Sequence, residues 1–190
     1  MLIGANTFDN GKMYNSMVVA QANGRIQQIY SKSHLVPFGE YRPFGVLPSP
    51  VNLSHGNGPE IIKVGDFVFA PAICYEIIFS DSLLPSGAGR VDAIVNLTND
   101  NWFGNTPGAY QHLDMVRRYA IESGLPVVRA NYSGISAFVA SDGSIISSMP
   151  IGMAGALDGY VWGAHETLYR QIGLNGWLII ILSVSVFGVL

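Results

Sequence analysis

The chain has 190 residues, of which 49% are hydrophobic and only 12% charged, against about 25% charged in an ordinary soluble domain. Ten basic residues against thirteen acidic ones leave a net charge of −3; this excludes a protein that grips nucleic acid through a basic stripe. So much apolar sequence also excludes intrinsic disorder, and the length fits one domain with a short appendage.

The elements are predicted in chain order. The first residues, Met1-Leu-Ile-Gly-Ala-Asn-Thr-Phe-Asp9, lack the basic and long apolar parts of a signal peptide. Residues 16–21 and 25–30 read as strands joined by an Asn-Gly turn, a strong hairpin signal. Residues 37–59, rich in proline and glycine, read as a long functional loop. Strands are expected at 60–64, 67–74 and 92–97, with a helix after Cys74. Apolar residues at Leu113, Val116, Tyr119 and Ala120 give a helix over 109–123, stopped by Gly124. Strands follow at 126–130, 135–140 and 144–149, the last two joined at Ser141-Asp-Gly143. From Gln171 to Leu190 there is no charge, and twenty helical residues would cover ~30 Å, about one hydrocarbon core. This predicts a C-terminal transmembrane helix, cut short by the end of the chain, with Trp177 at its interface; a buried core helix or strand is the alternative. Residues 1–170 then form one domain and 171–190 the span.

Cys74 is the only cysteine, so no intrachain disulfide or cysteine-rich metal site can form. A lone cysteine on an apolar strand is commonly an inert core residue. At a strand end, however, it can face a cleft and borrow backbone N–H groups as an oxyanion hole. Glu76, two residues on, needs a partner in so apolar a setting. Lys32 follows the hairpin directly. It is either a solvated charge or a fixed ammonium that lowers a thiol pKa and steadies an oxyanion. Glu40 can pair with that lysine or move a proton. His34 and His112 lie on different elements without a paired ligand, so no metal is expected. Arg117 and Arg118 read as a solvated or ion-paired helix face, and no cofactor motif is present.

Lys32-Ser-His-Leu-Val-Pro-Phe-Gly-Glu-Tyr41, Ile73-Cys-Tyr-Glu-Ile-Ile78 and Asn99-Asp-Asn-Trp-Phe-Gly104 resemble the nitrilase (carbon-nitrogen hydrolase) superfamily. Within it they are similar to the apolipoprotein N-acyltransferase family. Gln111-His112, Met115-Val-Arg-Arg118 and Arg129-Ala-Asn-Tyr-Ser-Gly134 extend the likeness over nearly all of residues 1–170. The resemblance implies an α/β fold, the nitrilase-type α-β-β-α four-layer sandwich, its N-terminal part missing, followed by the transmembrane helix. It implies Cys74 as nucleophile, Lys32 as catalytic lysine, Glu40 as assisting glutamate, and Tyr75 and Glu76 as the essential pair after the nucleophile. Phe38, Trp102 and Phe103 are then the lipid-lining aromatics, and the loop after Lys32 is a flexible arm.

The implied reaction carries a fatty acyl chain from a phospholipid donor, through a Cys74 thioester, to the N-terminal α-amine of a diacylated apolipoprotein acceptor. It needs no cofactor and no nucleic acid, and runs on a monomer at the periplasmic face of a bacterial inner membrane. The pattern departs from the family in one respect: the general-base glutamate lies before the lysine, and none of the 31 residues preceding Lys32 is a glutamate. The chain is therefore expected to be a C-terminal fragment, inactive alone. The alternatives are a soluble nitrilase-type amidase acting on small amides and a membrane-anchored binding module without catalysis.

Overall fold

A computed structural model describes residues 1–45, 51–79, 83–85 and 87–187. Strands β1 (Leu2–Asp9), β2 (Lys12–Ala20) and β3 (Ile26–Ser31) make an antiparallel sheet. β2 and β3 are the expected hairpin, and Gly24 turns it at φ 81°. β1 goes beyond expectation. Its signal is Asn10-Gly11, a second Asn-Gly turn with φ of 48° and 75°, the double left-handed geometry that two-residue hairpins favour.

The second sheet has the order β4 (Ile62–Val64), β5 (Phe67–Ile73), β6 (Ala93–Thr98), β7 (Val127–Asn131), β8 (Ser136–Val139) and β9 (Ile145–Met149). β5, β6 and β7 run parallel and the other pairs antiparallel. Alternation along these strands divides the core in two. Phe69, Ile73 and Val95 pack against Met17, Val19 and Tyr30 of the first sheet. Ala70, Ala72, Ile94, Val127 and Ala137 face the other way and receive Leu113, Val116, Tyr119 and Ala120 of α1 (Gly108–Ser123). The described layers are thus helix, six-stranded sheet, three-stranded sheet. On the outer face of the smaller sheet Ile3 and Ile29 remain 40% and 41% exposed.

Gly124 ends α1 in the left-handed region at φ +65°, and a Cβ there would stand 2.3 Å from the carbonyl oxygen of His165. Gly124→Val is therefore expected to cost at least ~1 kcal/mol, read as a lower urea midpoint with an unchanged m-value.

At the C-terminus the structure differs from the expected span. Residues 188–190, like 46–50 of the long loop, lie outside the described residues. A helix, α2 (Leu168–Phe187), does form, but Gly173 breaks it with φ 62° and ψ −175°. The described part after the break, residues 174–187, has fourteen residues and covers ~21 Å. Among the described residues no helix is long and apolar enough to cross a membrane.

Candidate active site

The site lies at the carboxyl ends of the parallel strands, where open α/β sheets place their ligand crevices. β5 ends at Ile73, and the next residue, Cys74, takes φ 52°. A left-handed conformation on a residue with a Cβ costs of order 1–3 kcal/mol and persists only where surrounding bonds impose it. A five-residue 3₁₀ turn, Cys74–Ile78, starts there. The abrupt reversal leaves the half-exposed thiol bordering two cavities.

Glu76 imposes much of this conformation. It is fully buried at 0% exposure. Its Oε1 accepts from Tyr30 Oη at 2.9 Å, Ser33 N at 2.7 Å, Ser33 Oγ at 2.9 Å and His34 N at 3.2 Å, while Oε2 accepts from Ile73 N at 2.8 Å. One carboxylate therefore ties the segment after β3 to the turn that carries Cys74. Burial and the neighbouring Glu76 charge push the Tyr30 phenol far up, so it stays a donor. Glu76 lies outside the linings of both cavities.

Lys32 is 1% exposed. A buried ammonium without a partner would be very costly; here Nζ donates to Glu40 Oε2 at 2.7 Å. Glu40 also accepts from Val36 N at 2.7 Å and Asn15 Nδ2 at 3.0 Å. Glu40 and Cys74 line both cavities together, so the pair Lys32–Glu40 adjoins the thiol from the loop side.

The two cavities differ in character. One, of about 400 Å³, is walled chiefly by apolar groups, among them Val36, Tyr75, Ile78, Phe103 and Met115. The other, of about 770 Å³, carries polar groups such as Asn6, Asn15, Asn99, Asn131 and Ser136. Cys74, Glu40, Asn99 and Trp102 belong to both walls. Tyr75 is held edge-on against Phe79 at 4.9 Å. Trp102, 70% exposed, stands at the rim. Phe38, grouped with these aromatics above, is 53% exposed and lines neither cavity.

His112, Asp100 and Arg129 were not assigned to the site from sequence, yet all three are buried beside it. Burial alone would raise the Asp100 carboxyl. Hydrogen bonding from His112 and the Arg129 guanidinium outweigh that and hold it below the usual carboxylate range. A lowered folded-state pKa adds stability above the unfolded value, about 4, which is lost as pH falls through the folded value. Urea midpoints are accordingly expected to fall between pH 5 and pH 2 more steeply for the wild type than for Asp100→Asn. Among the described residues no group of three or more metal-ligating side chains occurs.

A strained cysteine after a parallel strand, with a buried lysine and two buried glutamates around it, is an arrangement suited to nucleophilic acyl chemistry. The carbon-nitrogen hydrolase family profile matches residues 1–157, and the chain belongs to that family. It is 38% identical over 178 residues to the apolipoprotein N-acyltransferase of Brucella suis biovar 1 (strain 1330), covering 88% of this chain and 33% of that protein. It is 39% identical over 164 residues to the protein of that name from Rhizobium rhizogenes (strain K84 / ATCC BAA-868), covering 80% and 31%. The chain spans about a third of the length of these relatives. Among solved structures it is similar to glutamine-dependent NAD+ synthetase from Acinetobacter baumannii, with a TM-score of 0.66 at 17% identity over 82% of this chain and 30% of that one. Nit3 of Saccharomyces cerevisiae gives 0.63 at 19% over 80% and 55%. These likenesses show the nitrilase-superfamily α/β fold.

Proposed function

We propose that this chain carries the acyl-transfer centre of an apolipoprotein N-acyltransferase. The Cys74 thiolate attacks the ester carbonyl of a phospholipid, and Lys32 with backbone N–H groups steadies the oxyanion. The C–O bond breaks, the lysophospholipid oxygen takes a proton and leaves, and the acyl group stays on sulfur. The α-amine of an S-diacylglyceryl-cysteine then attacks the thioester. The C–S bond breaks, the amide forms, the proton lost by the amine passes to solvent and the thiolate returns. A thioester suits an amine acceptor because thiolate leaves readily.

The observation that carries the reading is the strained Cys74 on the wall of an apolar cavity beside the Lys32–Glu40 pair. A cavity of this character accepts an acyl chain, and Trp102 and Phe103 give it the aromatic lining the family resemblance implies. The shared name of the relatives above, apolipoprotein N-acyltransferase, supports acyl transfer as the reaction class. The setting we propose is a monomer at the outer face of a bacterial inner membrane, in a four-layer domain with a membrane anchor.

Incubation with an alkyne-tagged phospholipid, followed by a synthetic S-diacylglyceryl-cysteinyl peptide, tests the reading. Transfer of the tag to the peptide amine is the expected result. The polar cavity on the other side of Cys74 favours one second reading, hydrolysis of small amides with water as acceptor. Release of ammonia from short amides, with no tag taken from phospholipid, would establish it.

A further inference from the structure

Beneath Cys74, toward α1, lies a buried polar chain that the chemistry above leaves unused. It begins mid-strand at Arg129, 2% exposed between apolar neighbours of β7. In register, Ala72 of β5 pairs with Asn96 of β6, and Asn96 with Arg129 of β7. Asn96 Nδ2 donates to Ala72 O at 3.1 Å, and Arg129 Nη1 donates to Asn96 Oδ1. The rest of the guanidinium is committed too: Nε to Ile135 O at 3.1 Å and Nη2 to Asp100 Oδ2 at 2.7 Å. Asn131 Nδ2 also binds Asp100 Oδ2, at 2.6 Å. Asp100 Oδ1 meets His112 Nδ1 at 2.8 Å, and Nε2 of the same ring stands 3.3 Å from the carbonyl oxygen of Cys74. Phe103 closes on the imidazole edge-on at 5.8 Å.

We propose that His112 is a positioning residue for the nucleophile, anchored by the Asp100–Arg129 pair and holding the Cys74 carbonyl so that the residue keeps its left-handed conformation. The inference rests on the reading of Cys74 as nucleophile. Carboxylate and carbonyl oxygens can only accept, so both ring nitrogens carry a proton: Nδ1–H donates to Asp100 Oδ1 and Nε2–H to Cys74 O. Glu76 holds the amide that enters Ile73, and His112 holds the carbonyl that leaves Cys74. With both ends of this two-residue segment fixed, the strained φ at Cys74 has little room to relax. Without the carbonyl anchor the turn is free to relax toward negative φ, which swings Sγ away from the cavities it borders. Misplacement on the scale of ~1 Å costs about 10²-fold in a reaction that depends on alignment.

Alkylation by iodoacetamide reads the thiol directly, because Cys74 is the only cysteine. His112→Ala and His112→Asn are expected to slow it about 10- to 100-fold. His112→Gln, whose longer amide can still donate to the carbonyl, is expected to recover most of the rate. Near-UV circular dichroism checks each fold; should His112→Ala lose its spectrum, the Gln-against-Asn comparison decides. Equal rates for wild type, Gln and Asn would overturn the proposal. The same variants with tagged phospholipid separate this inference from the function. Alkylation that depends on His112 in a wild-type chain that takes no acyl group keeps the positioning role and overturns the acyltransferase reading. Acyl capture by Cys74 at an undiminished rate in folded His112→Asn does the reverse.

Discussion

Lys32→Met is expected to reduce acyl capture by about 10²–10³-fold, the loss that follows removal of one oxyanion donor. It should also destabilise the fold. Lys32 is 0% exposed at its side chain and Glu40 11%, so the variant leaves a carboxylate without its cation. Removing one partner of a buried pair costs ~3–5 kcal/mol. The lower end is expected here, because Val36 N and Asn15 still donate to Glu40. The double variant Lys32→Met/Glu40→Gln separates the two roles, since it removes the stranded charge and should recover stability without recovering capture. Lys32→Arg should not restore activity either, because a planar fork cannot occupy the site of a compact ammonium. Urea denaturation and single-turnover labelling read the two effects. Wild-type capture by a folded Lys32→Met chain would remove the lysine from the mechanism.

Glu76→Ala is expected to be the most damaging substitution for stability. Its carboxylate accepts five hydrogen bonds with no cationic partner among them. Truncation strands the N–H groups of Ile73 and Ser33 in the interior, and each buried unsatisfied group costs ~1–3 kcal/mol. A total of ~3–5 kcal/mol corresponds to a melting point lower by about 10 °C or more at this chain length. Glu76→Gln keeps one acceptor oxygen but turns an NH₂ toward other donors, so its melting point should lie between. Both variants should also slow alkylation of Cys74, because the turn loses its clamp on Ile73. A Glu76→Ala melting point within two or three degrees of wild type, roughly 1 kcal/mol, would show that these bonds do not hold the turn.

Much of this architecture is legible in the sequence because it is local. Asn23-Gly24 and Ser141-Asp-Gly143 mark their hairpins, and α1 follows from apolar spacing with a glycine where the helix ends. Cys74, Lys32, Glu40 and Glu76 stand in short motifs and gather as their chemistry requires. What escapes the sequence is long-range. Asp100 and Arg129 lie 29 positions apart and His112 on a third element, and only the parallel register of β5, β6 and β7 brings them beneath Cys74. One signal was available: an arginine inside Val127-Val-Arg-Ala130, in a chain this poor in charge, must find a buried partner. The C-terminal helix is legible as an apolar run, but the break at Gly173 is not, because a glycine in such a run carries no signal of its backbone conformation.

The central claim is that Cys74 holds the acyl group as a thioester. Mass spectrometry of the peptide containing Cys74, after incubation of the 190-residue chain with phospholipid, tests it most directly. The expected result is a mass increase of one fatty acyl group on Cys74, removed by neutral hydroxylamine and absent from Cys74→Ala. Acyl transfer to the peptide amine that proceeds in Cys74→Ala, or an acyl group found on another residue, would contradict it.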